Sequence, residues 1–272
     1  MKKIVISGMT GMVGSVLAPF LKSKGFEVVK FSGNVDGAYV VINLSGENIG
    51  KGRWTKKKRE KIYKSRIETT KQLVKLMEGA DKPPNIFISA SAVGYYGANA
   101  KVVDSEEGLN GTDFLSMVCR DWEKEANQYT KGRVLTMRFG VVMTKTSGFL
   151  EKLSKIATFG LLGRFGSGGQ KTSWIAMEDL AQVILHCITH VEIVGAVNVT
   201  APYPFSNKEC VAVVTKLVHR WRFFSIPNFF IKWIFGKKGK ELLLVDQSVY
   251  PKKLLDTGFN FRFSHIEDVL LK

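Results

Sequence analysis

Five short apolar runs, at residues 3–7, 27–31, 38–44, 85–90 and 133–139, alternate with five segments of helical period, at 12–24, 55–79, 113–128, 178–190 and 207–219. Strands alternating with helices predict a parallel sheet with helices laid on both faces, a doubly wound α/β fold. In the first helix Val16, Leu17, Phe20 and Leu21 form the apolar stripe, and Pro19 removes one N–H inside it, which predicts a bend. In the second, Thr55 is the expected N-cap, with Ile62, Ile67, Leu73, Val74 and Met77 on the buried side. Residues 145–176 carry Gly148, Gly160, Gly163, Gly166, Gly168 and Gly169 and read as loop with little regular structure, of the kind that forms a substrate side.

One connection is short. Only Ser32 to Gly37 separate the second strand from the third, whereas a parallel crossover normally takes a dozen residues and a helix. Stretched, that link reaches roughly 24 Å, against a path on the order of 20 Å back along one strand and across two strand spacings. If the two strands flank the first one, the link is possible but taut, and the second strand is then expected at an edge of the sheet. Asp36-Gly37 reads as the turn entering the third strand.

Composition adds limits. At 272 residues, with 45% hydrophobic and 24% charged residues, the chain buries a substantial core. Cys119, Cys187 and Cys210 are odd in number and far apart, which argues against a disulfide framework or a zinc cluster and fits a reducing cytoplasm. His186, His190, His219 and His265 show no metal spacing, so no metal is expected. No apolar run has the length of a membrane span, and the N-terminus lacks a secretory core. The net charge is +16, and residues 51–64 hold eight basic side chains against one acidic. Such a run suits nucleic acid or an anionic surface, but its helical period favours a solvated helix face, and nucleic acid is not the expected partner. A second basic, aromatic stretch at 220–240 reads in part as a helix between Pro227 and Gly236.

The chemistry starts at the N-terminus. The first strand runs into Ser7-Gly8-Met9-Thr10-Gly11-Met12-Val13-Gly14, and a helix follows at once. Glycines let a backbone approach closely, and the free N–H groups of a helix N-terminus meet negative charge, so Gly8, Thr10, Gly11, Met12, Val13 and Gly14 form a candidate pyrophosphate grip. The spacing is Gly-x-x-Gly-x-x-Gly.

Further motifs run through nearly the whole chain: Asn43-Leu44-Ser45-Gly46-Glu47-Asn48-Ile49, Arg53-Trp54, Ser65-Arg66, Ser89 to Gly97, Trp122-Glu123, Arg138 to Val142, Gly166 to Gln170, Trp174-Ile175, Asp179, and a block from Pro251 to Phe263. In this order they resemble the short-chain dehydrogenase/reductase superfamily in its extended, epimerase-like form, and most of all the atypical group called epimerase-family proteins. The resemblance implies a Rossmann-type domain over residues 1–200 and a C-terminal, substrate-side appendage over 201–272. It implies a nicotinamide dinucleotide, NADP or NAD with NADP favoured, held by the glycine turn with Ser32, Leu44, Ser45 and Gly46. A small polar, anionic substrate is expected, and oligomeric state stays open.

Ordinary members use a serine, a tyrosine and a lysine, the last two four apart on a helix; the tyrosine exchanges a proton and the lysine lowers its pKa. Here that pair corresponds to Leu115 and Cys119, which lack the proton and the charge. The serine corresponds to Ser91, and Arg66 stands where an asparagine usually supports the lysine. The resemblance thus gives Ser91 the substrate oxygen and Arg66 a negative group. Cys119 is either a proton donor or a small packed residue, and Tyr95 or Tyr96 either replaces the lost tyrosine or packs over the cofactor. Two departures stand out: Phe31-Ser32-Gly33 offers no arginine for a 2′-phosphate, and Ala176 occupies a position where the group carries histidine. Two functions remain, an oxidoreductase or epimerase and a non-catalytic dinucleotide sensor or scaffold.

Overall fold

A computed structural model describes residues 1–144, 148–160, 162–219, 225–226, 241–242 and 244–271. The chain divides into two compact units of interleaved segments: 1–95, 114–138 and 181–197 in the first, and 96–113, 139–180 and 198–272 in the second. The changes of unit come after residues 95, 113, 138, 180 and 197. They fall within or beside regular elements, where composition gives no sign of them.

A six-stranded sheet runs through the first unit. Its strands are β1 (Lys3–Ser7), β2 (Glu27–Lys30), β3 (Val40–Asn43), β4 (Ile86–Ala92), β5 (Arg133–Phe139) and β6 (Gly195–Val199), in the spatial order β2-β1-β3-β4-β5-β6. The pairs β1–β2, β1–β3 and β3–β4 are parallel. Strands buried on both faces need continuous apolar runs, and all four residues of β3 are buried. β2 is the edge, as the short link requires. β6 was not expected, because Gly195 and Asn198 break up a run only five residues long.

Asp36 anchors the link. Its Oδ1 accepts from the Lys82 N–H at 2.7 Å, its carbonyl accepts from Lys3 Nζ at 2.9 Å, and its own N–H donates to Asn34 Oδ1 at 2.8 Å. Gly33 and Gly37 take positive φ, at 102° and 67°, which lets so short a segment reverse direction. Asp36 is the turn residue.

Helices α1 (Met12–Ser23), α2 (Lys56–Glu78) and α3 (Phe114–Ala126) follow from their apolar spacing. Pro19 sits inside an unbroken α1 at an exposed position, where water can serve the Ser15 carbonyl that it leaves without a donor. Thr55 caps α2, its side chain accepting from the Lys58 N–H at 3.2 Å. Leu73, Val74 and Met77 of α2 pack with Val5, Val41, Phe87 and Tyr129 in one buried cluster. Each such side chain contributes roughly 1.5–3 kcal/mol of burial free energy.

The second unit corrects one expectation. Residues 145–176 are not a plain loop: they contain α4 (Gly148–Thr158) and short strands at Arg164–Phe165, Lys171–Thr172 and Trp174–Ala176. Leu150, Leu153 and Ala157 lie on one helical face and are buried with Trp174, Phe205 and Val214. Glycines around the helix masked a clear amphipathic period. Two more helices, α5 (Met177–Thr189) and α6 (Asn207–Leu217), complete the longer elements. Within the second unit both Asp179 oxygens accept backbone N–H bonds, from Arg262 at 3.0 Å and Phe263 at 2.9 Å. The helix expected between Pro227 and Gly236 lies outside the described residues. Among the described residues no helix is long and apolar enough to cross a membrane.

Candidate functional site

The C-terminal ends of β1 and β3 converge on the glycine turn. Ser7 and Ser45 share a hydroxyl hydrogen bond at 2.7 Å, and the Leu44 N–H donates to the Ser7 carbonyl at 2.8 Å. Gly8 takes φ +81°, and a Cβ there would lie 2.7 Å from the Leu44 backbone. At Gly14 a Cβ would lie 2.5 Å from the Gly8 oxygen. Gly11 is the N-cap of α1, with no side-chain cap bond, and Thr10, Gly11 and Met12 are exposed. The first-turn N–H groups of α1 therefore lie at an exposed turn with no side-chain cap, which fits a pyrophosphate. Leu44 and Ser45 border the same turn, and Gly46 follows them. Ser32 is exposed just beyond the end of β2, beside β1.

A buried polar network holds the 44–46 segment. Asn43 Oδ1 accepts from the Ser45 N–H at 3.2 Å, and its Nδ2 donates to Thr70 Oγ1 at 2.8 Å. Trp122 Nε1 donates to that same Thr70 oxygen at 2.8 Å. Asn43, Thr70 and Trp122 thus tie β3 to α2 and α3.

Arg66 on α2 lies directly against Gly46, where a Cβ would come within 3.0 Å of its guanidinium carbon. Its NH1 donates to the carbonyls of Ile62 at 3.0 Å and Glu47 at 3.2 Å, and the guanidinium stands 5.2 Å over the Trp122 ring. The Glu47 carboxylate is held instead by Lys58 and Lys61. Burial lowers the Arg66 pKa, while Cys119 and Glu47 oppose that shift.

Leu115 and Cys119, four apart on α3, both face Gly94 in the short helical turn after β4: a Cβ on Gly94 would lie 3.5 Å from Leu115 Cβ and 3.8 Å from Cys119 Sγ. Burial pushes the Cys119 thiol up to about 12, reinforced by the Glu123 charge and opposed by Arg66, the Ala92 backbone and the Ser91 hydroxyl. Cys119 is a neutral thiol.

Ser91, near the end of β4, donates to Glu123 Oε1 at 2.6 Å. Arg138 on β5 donates from Nε to Glu123 Oε1 at 2.8 Å and from NH2 to Oε2 at 2.7 Å, a bidentate ion pair. The side chains of that pair are 5% and 8% exposed, and the Arg138 guanidinium stacks 3.6 Å over the Tyr95 ring. Tyr96, in the second unit, donates its hydroxyl to Asn198 Oδ1 at 2.6 Å. Ala176, also in the second unit, is fully buried among apolar side chains.

Every site residue read from the sequence within 8–119 except Ser32 thus falls into one chain of neighbours, from the glycine turn through Gly46 and Arg66 to Cys119 and Ser91. Glu123 and Arg138 were missed as site residues although both lie in quoted motifs. The signal that could have found them was charge: a glutamate and an arginine in apolar surroundings need each other.

The model of the NAD-dependent epimerase/dehydratase family matches residues 32–200, and a domain of unknown function, DUF1731, matches 226–271. An epimerase family protein of Mycobacterium leprae is 32% identical over 98% of this chain and 94% of its own length. A chloroplastic epimerase family protein of Arabidopsis thaliana is 34% identical over 87% of this chain and 68% of its own. Among solved structures, the human epimerase family protein SDR39U1, crystallised with NADPH, superimposes with a TM-score of 0.89 at 28% identity, covering 98% of this chain and 97% of that one.

Proposed function

Since the chain belongs to the NAD-dependent epimerase/dehydratase family, we propose that it is a dinucleotide-dependent oxidoreductase or epimerase acting on a small polar substrate with an anionic group. The observation that carries this reading is the glycine turn, whose backbone-on-backbone contacts leave an open N-terminus on α1. Gly8, Thr10, Gly11, Met12, Val13 and Gly14 would hold the pyrophosphate, Ser32 the adenosine side, and Leu44, Ser45 and Gly46 the opposite border. A bound nicotinamide ring would supply hydride exchange. The human relative crystallised with NADPH supports NADP over NAD.

The chain's own residues divide the remaining work. Ser91 meets the reacting oxygen. Arg66, whose guanidinium donates to the Ile62 and Glu47 carbonyls and lies over an aromatic ring, takes the substrate's negative group. Cys119 keeps its proton at Sγ, because a buried thiol at about 12 does not ionise near neutral pH. It closes the floor under Gly94 as a packed, protonated neighbour. Its burial, with that of Cys187 and Cys210 as free thiols, supports a reducing cytoplasm.

A thermal-shift titration with NADPH, NADP, NADH and NAD tests the binding step, since a ligand of the folded state raises the midpoint as its concentration exceeds Kd. NADPH should shift it most; no shift with any of the four overturns the reading. A second reading, a dinucleotide sensor without catalysis, is favoured by Leu115 and Cys119 at the expected tyrosine and lysine positions. Turnover of any alcohol or carbonyl that falls in Ser91→Ala rules the sensor out.

A further inference from the structure

The hydrogen bonds around Ser91 have a direction. A carboxylate only accepts and a guanidinium only donates. Arg138 donates to both oxygens of Glu123 at 2.7–2.8 Å, which fixes the carboxyl's orientation and engages each oxygen as an acceptor. The Ser91 proton must then lie on the 2.6 Å line to Glu123 Oε1. The neutral Cys119 thiol beside it can use one lone pair, so what Ser91 can offer a further group is its other lone pair. A carbonyl oxygen gains nothing from that; a hydroxyl group donates to it.

We propose that Ser91 accepts the proton of a substrate hydroxyl while passing its own proton to Glu123 Oε1, so that the serine–glutamate pair performs the proton transfer for which Leu115 and Cys119 are unsuited. The substrate O–H bond breaks and its electron pair stays on the substrate oxygen. A new O–H bond forms at Ser91, the old one breaks, and the proton ends on Glu123, which becomes neutral beside Arg138. The reverse sequence returns the proton to a substrate oxygen. This inference rests on the oxidoreductase reading above, and it narrows the substrate class to alcohols or their carbonyl products.

The geometry supports a relay more than a merely structural ion pair. Ser91 lies at the C-terminal end of a central strand, the edge where open α/β sheets bind ligands. Glu123 and Ser91 are both buried, so a proton reaching the carboxylate passes through a group bonded to it, and Ser91 is such a group. Among the described residues, the charged and titratable groups facing Glu123 include Arg138 from β5 and Cys119 from its own helix; Tyr95 covers Arg138, and Arg66 faces Cys119 from α2. Arg138 is a positioning residue, acting through Glu123.

Two measurements decide it. In the nucleotide-free protein, proton NMR should show a slowly exchanging Ser91 hydroxyl that is missing from Ser91→Ala and displaced in Glu123→Gln. A hydroxyl exchanging at the solvent rate and unmoved in Glu123→Gln overturns the proposed direction. With NADP and a panel of small secondary alcohols, kcat/KM should rise with pH through one ionisation and fall on the order of 100-fold in Ser91→Ala and Glu123→Gln. Glu123→Asp should recover part of the rate with a displaced pH midpoint, an outcome that a structural role would not give. An unchanged pH profile in Glu123→Gln overturns the relay alone; wild-type protein that binds NADPH but oxidises no alcohol overturns the relay and the enzyme reading together. Should Glu123→Gln fail to fold with Arg138 left unpaired, Glu123→Gln with Arg138→Met removes the stranded charge and must show the same loss.

Discussion

A methyl group on Gly14 would sit 2.5 Å from the Gly8 oxygen and 2.6 Å from Met9 Cα, both backbone atoms that cannot rotate aside. Gly14→Ala should therefore open the turn and weaken NADPH binding by at least about tenfold, or 1.4 kcal/mol, measured by fluorescence titration. Glu47 gives a pH signature. Hydrogen bonds from Lys58 and Lys61 hold its pKa at about 2, below the usual 4.5. A depressed carboxylate contributes stability that is complete above its unfolded pKa and is lost as pH falls toward the folded one. Acid unfolding should thus steepen between pH 4.5 and about 2, and Glu47→Gln should flatten that limb in a denaturation series. The glycines were legible because a backbone demand leaves one residue type in its place. The partnership of Ser91, Glu123 and Arg138 was not, since 32 and 15 positions separate the partners and only folding brings them together.

At the scale of elements, periodicity gave five helices and five strands, with ends off by a residue or two. It failed where a period was short or surrounded by glycine. α4 shows this: Leu150, Leu153 and Ala157 carry its buried face, yet six glycines in the surrounding segment read as loop. Leu150→Ala should cost about 2–5 kcal/mol, as large-to-small changes in a packed core do, measured by urea unfolding. A surface role for α4 would leave the midpoint unmoved. β6 escaped for the opposite reason: five residues hold too little pattern to stand out against Gly195 and Asn198. The basic start of α2 is partly neutralised by its own neighbours, since Lys58 and Lys61 hold Glu47 and Lys64 holds Glu60.

For the whole molecule, all three cysteines are free and buried, with thiols pushed up to about 12 by burial. At pH 8 the native protein should react with a thiol reagent only as fast as it opens, and the three sites should label fully in denaturant. Rapid labelling of Cys119 in the native state would contradict the packing under Gly94. The link from Ser32 to Gly37 reaches furthest. A standard crossover would set a helix beside β2, on the flank proposed for the adenosine end of the nucleotide; here that flank is an edge strand and a turn pinned by Asp36. An epimerase must keep its dinucleotide through both halves of a cycle, so that the hydride returns to the molecule it left. A dehydrogenase must let it go after each turnover. With one wall absent, the residence time of the nucleotide should be short, and this chain should draw on the pool of reduced and oxidised dinucleotide as a shared substrate.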